Sequence, residues 1–281
     1  MPNVKHRSVS QMNTYTSCPR KYRFAYIDKD INIMRDNANT TLGLALHKAQ
    51  EFNYRQKIES KKDLPLEEIN AFMLNFLMTA FKNNVENPNF FPFKYGKKGT
   101  GEALMAQASE MLKLHYEQIM VNTQPLFVEL PIVLKINGQE FLQYIDLIDD
   151  QYIIRDLKTS GSRMNESAID INTQLIGYSI GFRAKFGRKE KGVQLDVIVK
   201  TKTPQIQQLR GETTDTNVAR FLESLEQVNR GIENAVFPPV DNPMICSWCD
   251  FRELCQDNNL PDAKVLAEKL KKIEAIKKSK E

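Results

Sequence analysis

Apolar positions recur at helical intervals through the first part of the chain and at strand intervals through its middle. "SVSQMNTYTSCPRKYRFAYI" predicts one helix with Ser10 as its cap, because the apolar and aromatic positions begin just beyond that hydroxyl. "TTLGLALHKAQEFNYRQKI" predicts a second. From Pro65 to about Val121 the helical period persists, interrupted by the Pro/Asn/Phe-rich "NPNFFPFKYGKKGTG". Then the period shortens. "LFVELPIVLKI", "EFLQYIDLI" and "QYIIRDLKT" are short, β-branched and aromatic, with turns expected at Asn137-Gly138 and Asp149-Asp150. "INTQLIGYSIGFRAKF" returns to a helix, "VQLDVIVKT" to a strand and "NVARFLESLEQVNRGIENAV" to a helix before a Pro-rich approach to "PMICSWCDFRELC". No repeat is present at the roughly 20–50-residue periods of solenoids. The order implies a mixed α/β core with a helical insertion between the second helix and the sheet.

Composition narrows the class. A chain of 281 residues can bury a substantial core, as one large domain or two small ones. No apolar run approaches the roughly 18 residues of a membrane span, and "MPNVKHRSVSQ" lacks the apolar region of a signal peptide. A cytoplasmic protein is expected, without a membrane partner, in a compartment that disfavours structural disulfides. The four cysteines, Cys18, Cys246, Cys249 and Cys255, then point to a metal or a cluster.

The net charge of +4 is mild, so its distribution matters more. "CPRKYRF" mixes Arg20, Lys21 and Arg23 with Tyr22 and Phe24, a blend suited to phosphates and bases. Lys94, Lys97 and Lys98 sit in a glycine-rich loop that is not a P-loop. The tail "KVLAEKLKKIEAIKKSK" predicts a Lys-rich amphipathic helix with Val265, Leu266, Leu270 and Ile273 available for one face. A solvated surface accounts for each equally well.

The candidate chemistry lies in "FLQYIDLIDDQYIIRDLKTSG". Alternation along a strand points Asp156 and Lys158 the same way and Leu157 the other. Asp146, on the preceding strand, can approach Asp156 across a tight turn. Carboxylates converging in this way repel unless they share a cation, and hard oxygen ligands suit Mg²⁺ or Mn²⁺. A neighbouring lysine can position a water and offset phosphate charge. "GLALHKAQE" places Gly43, His47 and Glu51 on one helical face, and "QLIGY" does the same for Gln174 and Tyr178. His6 and His115 read as ordinary packed or exposed histidines.

Taken in order, Cys, G-x-x-x-H-x-x-x-E, Asp, D-x-K, Q-x-x-x-Y, strand and C-x₂-C-x₅-C resemble the RecB-type nucleases of the PD-(D/E)XK superfamily. The resemblance is to the iron–sulfur branch, which includes the AddB nuclease domain and the CRISPR-associated spacer-acquisition exonuclease. It spans nearly the whole chain, from "SVSQMNTYTSCPRKYRFAY" to Cys255. It implies a restriction-endonuclease-like α/β core and one nuclease domain over 1–281. Within that domain, about 52–125 would form the helical insertion, 1–30 and 240–258 the cluster subdomain, and 262–281 the Lys-rich helix. It further implies that His47, Asp146, Asp156 and the Leu157 carbonyl ligate Mg²⁺ or Mn²⁺, that Lys158 is catalytic, and that Gln174 and Tyr178 lie near substrate. Arg20 and Lys21 would meet DNA phosphates. Members often carry glycine three residues before the first aspartate, where this chain has Gln143.

Cys18, Cys246, Cys249 and Cys255 match the set that holds one [4Fe–4S] cluster in that branch, although their spacing alone fits zinc equally. Either would clasp the chain ends together, with Trp248 and Phe251 packed around it. The implied activity is exonucleolytic cleavage of DNA ends or single strands. The alternatives are a DNA-binding recombination scaffold that does not cut, or a nuclease subunit active only beside a helicase or recombination partner. The sequence has no Walker motif, so a helicase would be a separate protein.

Overall fold

A computed structural model gives the fold over residues 6–28, 38–86 and 101–256. Lys94, Lys97, Lys98 and the expected 262–281 helix lie outside the described residues.

The N-terminal segment forms two helices, not one. Helix α1 (Val9–Ser17) is capped by the Ser8 side chain, which accepts from the Gln11 N–H; Ser10 lies inside the helix. Helix α2 (Pro19–Tyr26) starts afresh because Pro19 forces Cys18 out of the helical region, to φ −161° and ψ 110°. Helix α3 (Ala38–Ser60) contains the His47 segment, and α4 (Leu66–Glu86) and α5 (Gly101–Gln118) follow.

Strands β1 (Pro125–Ile136), β2 (Gln139–Asp149) and β3 (Ile153–Ser160) form an antiparallel meander. Asn137 and Gly138 both take positive φ, 49° and 84°, the tight hairpin turn anticipated at this dipeptide. At the next turn Asp149 Oδ1 accepts from the Gln151 and Ile153 backbone N–H groups. Helix α6 (Thr173–Phe186) then crosses over to β4 (Gly192–Val199), which runs parallel to β3. Every residue of β4 is buried, as befits a strand covered on both faces.

A fifth strand, β5 (Gln205–Gly211), pairs antiparallel to β4 and was not anticipated. Its apolar residues, Ile206 and Leu209, lie three apart, so no two-residue period betrays it. The inward Gln207 is instead satisfied by the backbone of Met164, through its carbonyl oxygen at 2.8 Å and its amide nitrogen at 2.9 Å. The sheet order is β1-β2-β3-β4-β5.

Helices α3, α4 and α5 cover one face around Leu42, Leu46, Met111, Leu147 and Leu157. Helix α6 covers the other around Ile145, Ile154, Leu175, Phe182 and Val197. Helices α1 and α7 (Asp215–Glu233) extend that second layer through Phe141, Phe221 and Leu225. The short helices α8 (Pro243–Ser247) and α9 (Arg252–Gln256) carry the C-terminal cysteines back to α2. The N-terminal helices are tied to the segment after α7: Arg20 N–H donates to the Pro238 carbonyl at 3.2 Å, Tyr15 donates to the Val236 carbonyl at 2.7 Å, and Tyr22 stacks on Phe237.

Candidate active site and cysteine cavity

Two local irregularities open the site. First, β2 and β3 pair only at Leu147–Arg155 and Ile148–Ile154, so they part beside Asp146 and Asp156. Second, face alternation breaks at Asp146. In β2, Ile145 and Ile148 both join the α6-side core while Leu147 joins the α3 side. In β1, Leu130 and Phe127 face α6 while Val128 faces α3, and the intervening Glu129 has φ 49°. The shared interruption sets Asp146 between the two layers, where groups from both helices reach it.

From the α6 side, the Tyr178 hydroxyl donates to Asp146 Oδ1 at 2.7 Å and accepts from Gln174 Nε2 at 2.6 Å. Gln174 Oε1 in turn accepts from Lys158 Nζ at 2.6 Å, and Lys158 donates to Asp156 Oδ1 at 3.0 Å. A continuous relay therefore runs from Asp156 through Lys158, Gln174 and Tyr178 to Asp146. From the α3 side, His47 Nδ1 lies 3.4 Å from Asp146 Oδ2, with the Leu157 backbone carbonyl beside the ring. Gly43, one turn earlier, lets α3 lie close against β3: a Cβ there would stand 3.3 Å from Thr159 Oγ1. Glu51, one turn later, turns away to pair with Lys48 and Arg55.

The electrostatics of the pair are lopsided. Burial, then the charge and contact of Asp156, push Asp146 well above the ordinary carboxylate range, against the Tyr178 hydrogen bond and Lys158. Asp146 Oδ2 and Asp156 Oδ2 are buried without a hydrogen-bond partner, although Lys158 Nζ stands 2.9 Å from the latter. Such a pair needs a proton or a cation between its members. Burial holds His47 below its usual value despite Asp156, leaving a neutral imidazole with a free lone pair at neutral pH. The unpartnered Asp146 Oδ2, the lysine-paired Asp156 carboxylate, the neutral imidazole and a backbone carbonyl have the donor chemistry of a divalent-cation site. As placed, no three His, Cys, Asp or Glu side chains among the described residues stand close enough to hold one ion.

Two features around this site went unforeseen. Gln143 is buried and donates to the Gly177 carbonyl at 2.8 Å. Its amide fills the notch left by Gly177 and Gly181, where added Cβ atoms would lie 3.0 Å and 2.2 Å from it. Behind the site, Arg155 is buried between Asp196, at 3.0 Å, and Asp149, at 3.3 Å, and ties β3 to β4 and to the preceding turn. Opposite charges at inward positions of apolar strands were the available signal. His115 is packed as expected, fully buried and 2.8 Å from Gln50 Oε1.

Cys18, Cys246, Cys249 and Cys255 line one cavity of about 150 Å³ together with Arg20, Lys21 and Phe251. All four are free thiols. Burial raises Cys249 and Cys255 above the usual thiol value, with the neighbouring Lys21 and Arg20 acting in the opposite direction. Four thiols on one cavity beside two cations have the donor chemistry of a thiolate-bound centre of either kind, but as placed no three of the thiols stand close enough to hold one ion. Phe251 is buried against Phe24, as anticipated near the cysteines. Trp248 is not: it is 84% exposed, because α8 ends at that residue and turns it outward.

The comparisons agree with this architecture. The model of the PD-(D/E)XK nuclease superfamily matches residues 6–256, and the chain belongs to that superfamily. Gene 69 protein of Mycobacterium phage D29 is 25% identical over 267 residues, covering 89% of this chain and 96% of the phage protein. Gene 69 protein of Mycobacterium phage L5 is 23% identical, covering 89% and 95%. A crystal structure of a Eubacterium rectale protein, provisionally named an exonuclease, superposes with a TM-score of 0.61 at 15% identity, covering 92% of this chain and 90% of that one.

Proposed function

We propose that the chain is a Mg²⁺- or Mn²⁺-dependent deoxyribonuclease that digests DNA from ends or in single strands. The observation that carries this reading is the convergence of two buried aspartates, Asp146 with an unpartnered Oδ2 and Asp156 paired with Lys158, in a superfamily of nucleases. Asp146, Asp156, His47 and the Leu157 carbonyl would hold the ion. When bound, it would supply Lewis-acid activation of water and neutralise charge on the phosphate.

The chain's own groups have separable tasks. Lys158 is held between Asp156 and Gln174, where its ammonium would offset charge on a non-bridging phosphate oxygen and orient the attacking water. Tyr178 steadies Asp146, and Gln174 couples that aspartate to the lysine. A scaffold that never cut DNA would gain nothing from holding repelling carboxylates together. The exonucleolytic direction is supported by the name of the Eubacterium rectale protein.

Cys18, Cys246, Cys249 and Cys255 would hold a structural [4Fe–4S] cluster, since hydrolysis needs no electron transfer. Arg20 and Lys21 beside it would meet phosphates along the DNA path, and a separate helicase or recombination protein would supply opened ends.

The test is incubation of the full chain with end-labelled single strands, linear duplex and closed circular duplex in Mg²⁺ or Mn²⁺. Progressive loss of the linear and single-stranded substrates is expected, with circles spared and EDTA stopping the reaction. Binding without cleavage of any substrate would return the scaffold reading.

A further inference from the structure

Strands β3 and β4 are the parallel pair of the sheet, and their carboxyl ends lie level, Ser160 opposite Val199. Ligands of open α/β sheets gather at such ends. Lys200 extends the ladder by one residue there, its backbone N–H donating to the Ser160 carbonyl at 2.7 Å. In β4, Val197 and Val199 join the α6-side core and Ile198 the α3 side, so Lys200 continues the α3 side. Its Nζ donates to Asn39 Oδ1 at 3.0 Å, in the first turn of α3. Asn39, Gly43 and His47 recur at four-residue intervals along the face of α3 that meets β3. Asn39 therefore stands about 12 Å from His47 along the helix axis. Lys200 stands about 10 Å beyond the Lys158–Val197 pair along the strand.

The charge of this lysine is not neutralised by the described residues. Lys158, Arg155, Lys48 and Arg55 each pair with an aspartate or glutamate. The Lys200 ammonium has no carboxylate partner among the described residues, and Asn39 is neutral. Burial pushes it below the ordinary lysine value, with no carboxylate acting to raise it. A half-buried cation in such surroundings is stabilised by an anion that completes them. We propose that Lys200, with the Asn39 amide NH₂ beside it as a second donor, binds a phosphate of the DNA strand adjoining the one cleaved at Asp146 and Asp156. The ligand is a phosphodiester on the α3 side of the site. This rests on the nuclease reading for the identity of its ligand, but Lys200 lies outside the carboxylate centre and takes no part in the chemistry.

The full chain in EDTA is titrated into an end-labelled oligothymidylate, with anisotropy reporting binding across a salt series, as wild type, Lys200→Gln and Lys200→Arg. Glutamine keeps a donor for Asn39 and removes the charge, whereas arginine keeps both. One phosphate contact on a single strand contributes about 0.7 to the slope of log affinity against log salt, roughly fivefold in affinity per tenfold change in salt. Lys200→Gln is expected to lose about that much slope, and about fivefold in affinity at low salt. Lys200→Arg should keep both, and the urea midpoints of the two variants should stay near the wild-type value.

A wild-type slope in folded Lys200→Gln overturns the phosphate site, since Lys200 would then only dock α3 against β4. An equal loss in Lys200→Arg overturns it too, because charge would not be what the position supplies. Cleavage in Mn²⁺, measured separately, keeps the two claims apart. A protein whose slope falls in Lys200→Gln but which does not cut retains the phosphate site and loses the nuclease, whereas one that cuts with the slope unchanged does the reverse.

Discussion

Tyr178→Phe is the most discriminating change at the carboxylate centre. It deletes one oxygen and leaves a ring that is packed beside Leu175 and Phe182. That oxygen makes both central links of the relay, donating to Asp146 at 2.7 Å and accepting from Gln174 at 2.6 Å. A hydrogen bond to a charged partner contributes about 1.5–3 kcal/mol, which at 1.4 kcal/mol per tenfold is roughly a 10- to 150-fold effect. Loss of the donor also leaves burial and Asp156 less opposed in raising Asp146, so the carboxylate is harder to ionise for a cation. Mn²⁺ affinity, read from the free-ion electron paramagnetic resonance signal, should fall about 10- to 100-fold, as for other groups that orient ligands. Cleavage should fall in parallel at low Mn²⁺ and recover in part as Mn²⁺ is raised. Wild-type affinity and turnover in a folded Tyr178→Phe would refute the relay as a positioning device.

Three further outcomes follow from other parts of the molecule. Gly181→Ala should destabilise the fold by about 1–3 kcal/mol, because its methyl displaces the buried Gln143 amide from the Gly177 carbonyl. In a urea double-mutant cycle, Gln143→Ala should cost less in that background than in the wild type, and simple additivity would dismiss the fit. Burial lowers His115 to about 4, below its unfolded value, so the unfolded chain binds its proton more readily. The associated stability is complete above pH ~6.5 and lost as pH falls from there towards about 4, roughly 3 kcal/mol in all. His115→Gln should flatten the acid limb of the urea midpoint over that window, and an unchanged limb would contradict it. Protein purified without oxygen should be brown and carry iron and sulfide, bleached by serine at any of the four cysteines; a colourless protein with one zinc per chain would assign zinc instead.

The order of helices and strands was legible because their periods differ. The hairpin at Asn137-Gly138 was legible because few other dipeptides tolerate two positive φ values. Asp146, Asp156, Lys158, Gln174 and Tyr178 carried their spacing openly, and the relay converts that spacing into contacts. What escaped depended on tertiary context. Pro19 splits the first helix, a local rule that the strong aromatic pattern on either side obscured. β5 hides behind glutamines whose partners are distant in sequence. The interruption at Glu129 and Asp146 exists only in the paired strands, so neither segment reveals it alone. Gln143 departs from the glycine common at its position, yet the notch that accommodates it belongs to α6. Trp248 was expected to pack around the centre held by the neighbouring cysteines, and only the end of α8 explains its outward turn.

The central claim is that Asp156 and Lys158 carry metal-dependent phosphodiester cleavage. Its most direct test is single-turnover cleavage of end-labelled single-stranded DNA by wild type, Asp156→Ala and Lys158→Ala at saturating Mn²⁺, with DNA binding measured in parallel. Rapid cleavage by the wild type is predicted, with loss of at least about a thousandfold in either variant while both still bind the strand. Wild-type cleavage rates in both variants would contradict the account.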